Sequence, residues 1–116
     1  MAAAATELIC PSGALEERGV GVRFVIEHAN GEKTKGFAVR FQGQVYAFRN
    51  ACRHVPVELD LIDGHFFDPS REFLVCSMHG ALYAPDTGLC VAGPCKGASL
   101  HALAVEERDG QVYVTG

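Results

Sequence analysis

Two cysteines and two histidines carry most of the chemistry open to this chain. They fall in two short boxes, Cys52-Arg53-His54 and Cys76-Ser77-Met78-His79. Each box sets a thiol two or three positions ahead of an imidazole, so one loop can address one metal ion or two adjacent ones. Thiolate sulfur and neutral imidazole nitrogen are the ligands that iron–sulfur centres and zinc accept. A two-armed zinc finger keeps its cysteines in one arm and its histidines in the other. Here each arm is mixed, which does not fit that pattern.

The other candidate ligands have blander readings. His65 is expected in an exposed loop rather than as a ligand, and His28 and His101, which have no ligand spacing to anything, are expected at the surface. Three cysteines remain outside the boxes. Cys90 and Cys95 flank Ala92-Gly93-Pro94 and are read as small buried apolar residues rather than as ligands or a disulfide. Cys10 has no context. The run Glu106-Glu107-Arg108-Asp109 reads as a solvated turn.

The boxes must be positioned by strands. Val22 to Glu27 reads as a strand that ends at the hairpin signal Asn30-Gly31. Phe37 to Phe41, the turn Gln42-Gly43 and Val45 to Phe48 form a second hairpin, whose return strand is apolar on both faces and so is expected to have little exposure. Glu72 to Val75 leads into the second box, Leu82-Tyr83 leaves it, and Pro85-Asp86-Thr87-Gly88 turns the chain. Leu103 to Glu107, Asp109-Gly110 and Gln111 to Val114 make a closing hairpin. No segment carries a sustained helical stripe; Ala14 to Arg18 has room for one turn. These signals predict an all-β chain.

A length of 116 residues fits one domain over residues 1–116, with residues 1–19 a partly flexible tail. With 48% hydrophobic and 21% charged residues, a chain of this size can bury a core without staples. A net charge of −4 argues against a nucleic-acid or anionic-membrane partner. No apolar run reaches the length of a membrane span, and Met1 to Ala5 lack the basic start of a leader. A cytoplasmic location, where thiols stay reduced, is therefore expected.

The two boxes, with Gly80 directly after His79, resemble the cluster-binding boxes of the Rieske family. The stretch Leu82 to Gly88, the pair Gly93-Pro94 and the ending Asp109 to Val114 are similar to the family as well, and the resemblance is most specific over about residues 50–95. It implies an antiparallel β-sandwich with a small cluster-binding subdomain and one 2Fe-2S cluster per chain. Cys52 and Cys76 would bind one iron, and His54 and His79 the other. Gly80 would let the backbone approach the sulfides, and Tyr83 would donate a hydrogen bond to Cys52.

The departures from the family pattern carry implications too. High-potential members place a disulfide cysteine in each box, where this chain has Val57 and Met78, and a hydroxyl donor to the cluster is replaced by Ala81. Fewer donors to sulfur leave the more negative reduced state less stabilised, which implies a carrier of lower potential. Two neutral imidazoles in place of two thiolates still raise the potential, from about −400 mV into a range of roughly −150 to +300 mV. The 21 residues between His54 and Cys76 (55–75) are more than soluble members usually have, so an excursion is expected around Leu61 to Pro69, with Phe66-Phe67 in it. The resemblance implies an electron carrier with no bond chemistry of its own, between a flavoprotein reductase and a terminal oxygenase or similar acceptor. Its alternatives are a relay or regulatory subunit of a larger reductase and a zinc-binding interaction module.

Overall fold

Backbone turns decide much of the architecture. Gln42 and Gly43 both adopt positive φ, 53° and 79°, and Asp109 and Gly110 do the same at 51° and 73°. Consecutive left-handed residues make the turn whose twist matches a tight antiparallel hairpin. The Glu17 carboxylate accepts the Gln42 and Gly43 amides at 2.6 and 2.7 Å, and those N–H groups, Gly43 first, hold its carboxyl below the ordinary range.

The computed structural model describes residues 6–52, 58–60, 64–76 and 80–115. Its strands are β1 (Thr6–Pro11), β2 (Val22–Glu27), β3 (Lys33–Phe41), β4 (Gln44–Arg49), β5 (Leu74–Val75), β6 (Leu82–Tyr83), β7 (Cys90–Ala92), β8 (Ala102–Arg108) and β9 (Gln111–Thr115). They form a six-stranded sheet, β1-β9-β8-β4-β3-β2, and a three-stranded sheet, β5-β6-β7, with antiparallel pairing throughout. The all-β expectation holds, and a single 3-10 turn at Ser12–Ala14 is the helical structure among the described residues. No helix among the described residues is long and apolar enough to cross a membrane.

Two elements escaped the sequence pattern. β1 pairs along β9, from Thr6 opposite Thr115 to Pro11 opposite Gln111. It has no local turn to announce it, because its partner lies at the other end of the chain. β7 is three residues long and carries no alternation of its own. The segment expected as a strand from Glu72 begins only at Leu74.

The central hairpin separates two cores. Ala38, Val45 and Ala47 face Ile26, Val112, Val114, Leu15 and Cys10. Phe37, Val39 and Phe48 face the opposite way, against Leu59, Phe66, Leu74, Tyr83 and Leu100. Strand side chains alternate in direction, so a hairpin with a core on each side must be apolar on both faces. The small sheet and both box cysteines belong to the second core.

Arg40 ties β3 to the N-terminal segment and to β8. Its Nε donates to the Leu15 carbonyl at 2.9 Å, and its Nη2 meets Glu107 Oε2 at 2.6 Å. The run Glu106 to Asp109 is exposed, as expected, but Glu106 to Arg108 belong to β8 and not to the turn, and Glu107 is held by this pairing, which keeps its carboxyl below the ordinary range. A carboxylate whose pKa is depressed on folding stabilises fully above its unfolded value and loses that contribution as pH falls through the folded value. Glu107→Gln is therefore expected to cost about 0.5–1 kcal/mol at neutral pH and nothing in acid, where the wild-type carboxyl is protonated as well. Urea titrations at the two pH values check this.

Candidate metal centre

The first box begins where β4 runs out. Asn50, 5% exposed, acts as a hinge pin there. Its backbone N–H donates to the Lys35 carbonyl at 2.9 Å, its Oδ1 accepts the Leu59 amide at 2.8 Å, and its Nδ2 donates to Asp60 Oδ1 at 3.0 Å. Asp60 in turn accepts the Gly64 amide at 2.9 Å and lies 3.5 Å from Arg23 Nε, while Arg23 also pairs with Glu58. A buried carboxylate is tolerated only when it is saturated in this way. The Asn50–Asp60 unit fastens the far side of the first box to the sheet edge, a role that a polar residue ahead of Cys52 hinted at only weakly.

The second box falls in sequence between β5 and β6. Leu74 pairs with Tyr83 and Val75 with Leu82. The Cys76 amide donates to the Ala81 carbonyl at 2.9 Å, and the Gly80 amide donates to the Cys76 carbonyl at 2.8 Å. Gly80 has φ +71°, which is the reason for a glycine here; a Cβ would meet no neighbouring atom within 4 Å. Gly93, at φ +98°, packs the following loop against the box so closely that a Cβ would lie 2.8 Å from Ala81 Cα.

Cys52 and Cys76 are brought into one core, at 3% and 0% exposure. His54 and His79 lie outside the described residues, as do Val57 and Met78. Tyr83 is buried, with its hydroxyl 3.4 Å from Cys52 Sγ, the contact expected of it. The same hydroxyl lies 3.0 Å from Cys95 Sγ, a neighbour the sequence did not announce. Cys90 and Cys95 are buried, as read, but as a pair: their sulfurs are 3.1 Å apart. His65 and His101 are exposed, and His28 is half-buried, its Nε2 2.7 Å from Thr34 Oγ1.

The excursion between the boxes is no loose loop where it is described. Phe66 is fully buried and stacks on Phe37, with ring centroids 4.0 Å apart and planes 13° from parallel. The Val75 amide donates to the Phe66 carbonyl at 2.8 Å, so the excursion braces the strand that delivers Cys76.

The Rieske 2Fe-2S domain matches residues 5–114. The chain belongs to the Rieske family. As a Rieske domain it binds one 2Fe-2S cluster, and the donor set agrees: two buried thiols in one core, one of them in hydrogen-bond range of a hydroxyl. Bound there, such a cluster supplies one-electron redox chemistry. Among solved structures, this Rieske chain is similar to the ferredoxin of carbazole 1,9a-dioxygenase from Nocardioides aromaticivorans IC177, with 23% identity, a TM-score of 0.73, and coverage of 96% of this chain and 97% of that one. A chain in the complex of reduced oxygenase and oxidized ferredoxin in carbazole 1,9a-dioxygenase matches at 25% identity and a TM-score of 0.72, covering 96% of this chain and 93% of that one. The Rieske chain spans only 28% of a third match, in a carbazole-bound oxygenase and ferredoxin complex of carbazole 1,9a-dioxygenase, at 17% identity and a TM-score of 0.72. No curated protein matches significantly.

Proposed function

We propose that this Rieske domain is a one-electron carrier of the ferredoxin type, acting as one domain over residues 1–116 in the cytoplasm. It accepts electrons from a flavoprotein reductase and passes them to a terminal oxygenase. Cys52 and Cys76 hold one iron of its cluster, and His54 and His79 the other. The observation that carries this reading is the burial of both cysteines in the core under the small sheet, with Tyr83 set against Cys52. The near end-to-end match to a chain of an oxygenase–ferredoxin complex supports the choice of acceptor.

The chain's own residues bind, shield and tune the centre. Tyr83 donates toward sulfur, Phe37, Phe48 and Phe66 keep the core around both cysteines dry, and the Asn50–Asp60 unit holds the first box in place. Electron paramagnetic resonance of the reduced protein, with iron, sulfide and zinc analysis, tests the assignment. A rhombic signal with two irons per chain is expected; a silent sample holding one zinc would sink it. Reconstitution with a flavoprotein reductase and an oxygenase tests the partners, product formation being dependent on this chain.

A second expectation concerns the tyrosine. A net hydrogen bond of about 0.5–1.5 kcal/mol to a ligand sulfur corresponds to roughly 20–65 mV for one electron. Because the bond favours the more negative reduced state, Tyr83→Phe should lower the midpoint potential by about that amount, read by voltammetry.

A further inference from the structure

Cys90 and Cys95 play no part as ligands, yet they stand in line with one. Cys95 Sγ is 3.1 Å from Cys90 Sγ and 3.0 Å from the Tyr83 hydroxyl, which is 3.4 Å from Cys52 Sγ. The loop between the two thiols is closed by its own backbone. The Cys90 amide donates to the Ala98 carbonyl at 2.7 Å, the Gly97 amide to the Cys90 carbonyl at 3.1 Å, and the Ala98 amide to the Cys95 carbonyl at 2.9 Å. The sulfurs are therefore held together by the fold and not by chance rotamers, and linking them closes a loop that is already short and ordered.

We infer that Cys90 and Cys95 are a reversible disulfide site, whose oxidation state sets how strongly Tyr83 hydrogen-bonds to Cys52. The second half of this rests on the cluster assignment proposed above; the first half does not. Bond formation requires the sulfurs to close from 3.1 Å to about 2.05 Å. The oxidant is a low-molecular-weight disulfide. Cys95, 9% exposed against 1% for Cys90, attacks one sulfur of that disulfide as its thiolate and releases one small thiol. Cys90 then displaces the second, forming the Cys90–Cys95 bond. One disulfide is broken and one is made, and the two thiol protons end on the two released thiols. Burial, foremost, pushes the Cys90 thiol up to about 11, so the closing step, in which Cys90 attacks, is slow at neutral pH and quickens as pH rises.

The coupling has a direction. In the dithiol, Cys95 donates its S–H to Cys90, and Cys90 donates to the Ala92 carbonyl at 3.2 Å. With both thiol protons engaged, Cys52 and Cys95 both offer sulfur acceptors to the Tyr83 hydroxyl, at 3.4 and 3.0 Å. Closing the bond pulls Cys95 Sγ toward Cys90 and out of its 3.0 Å contact with the Tyr83 hydroxyl, which turns the Tyr83 proton toward Cys52. The reduced cluster is then favoured and the potential rises.

The test uses holoprotein treated anaerobically with oxidised glutathione, then alkylated and peptide-mapped without reductant, with voltammetry on the same sample. A Cys90–Cys95 link is expected, with a positive shift of up to about 59 mV, a tenfold change in a one-electron equilibrium constant. Tyr83→Phe should keep the link and lose the shift; Cys90→Ala, or Cys90→Ser should that fold better, should lose both. Full alkylation of both thiols, glutathione adducts in place of the link, or a shift that survives Tyr83→Phe overturns the inference. Iron and sulfide assays on the same sample separate its failure from that of the cluster assignment, because the link is read whether or not iron is bound.

Discussion

Replacing Cys76 with serine should yield a folded protein that holds no iron and has lost its visible absorption. Cys76 is fully buried at the foot of the β5–β6 hairpin. What holds the loop there is backbone: the Cys76 amide on the Ala81 carbonyl and the Gly80 amide on the Cys76 carbonyl, neither of which the side chain supplies. A serine oxygen is a hard, weakly acidic donor where a soft thiolate is needed, and in the proposed ligand set one cysteine fewer leaves an iron short of a ligand. The structural penalty is that of a buried hydroxyl, about 1–3 kcal/mol. The first core, built on Ile26, Val112 and Val114, does not include Cys76 and should keep the six-stranded sheet intact. Cys10→Ala is the matched control. Cys10 is also buried, its thiol pushed up by that burial, but it packs in the other core, so iron content should be unchanged. Iron assay, visible absorption and far-ultraviolet circular dichroism decide the matter; wild-type iron in Cys76→Ser would remove Cys76 from the ligand set.

Phe66→Ala should be among the most destabilising single changes in the chain, at about 3–5 kcal/mol. The ring is 0% exposed, stacks on Phe37 and shares its core with Leu59, Leu74, Cys52 and Cys76. Its removal opens a void that rigid neighbours on β3 and β5 cannot fill. For a domain of this size such a loss lowers Tm by more than about 10 °C. The void also opens in the core that holds both box cysteines, so iron should leave the variant faster than the wild type when a chelator is added. Phe67→Ala makes the comparison, since Phe67 is only partly buried and its ring lies 6.3 Å from Phe41. Urea denaturation and chelation rates measure both effects. Equal stability in the two variants would mean that the excursion between the boxes is an ornament and not a brace.

The contrast shows which features were legible in the chain. The turns were, because Gln42-Gly43 and Asp109-Gly110 reach the left-handed region that tight hairpins demand, and residue type alone restricts which positions go there. The central hairpin's apolar faces pointed to burial on both sides, which the structure confirms with separate cores. The strand at β1 was not legible, since its register is set by β9, about a hundred residues away, and no local rule encodes a pairing at that distance. The excursion was visible as a long gap, but that Phe66 would insert under Phe37 was not, because nothing in a sequence distinguishes an aromatic that caps a core from one that covers a surface.

Ligand chemistry followed the same division. Two mixed Cys/His boxes at short spacing determine by themselves that the chain offers a mixed sulfur and nitrogen ligand set, because donor type and loop reach are local properties. The family match spans far more than the boxes, residues 5–114. The Tyr83 contact with Cys52 was implied by the resemblance, but only the tertiary structure decided that the same hydroxyl also meets Cys95, and that Cys90 and Cys95 are a thiol pair rather than two small fillers. Those contacts join β6, the end of β4 and the loop after β7, segments whose approach is settled by long-range packing. A sequence states which atoms can hold an electron centre; folding alone settles which neighbours will tune it.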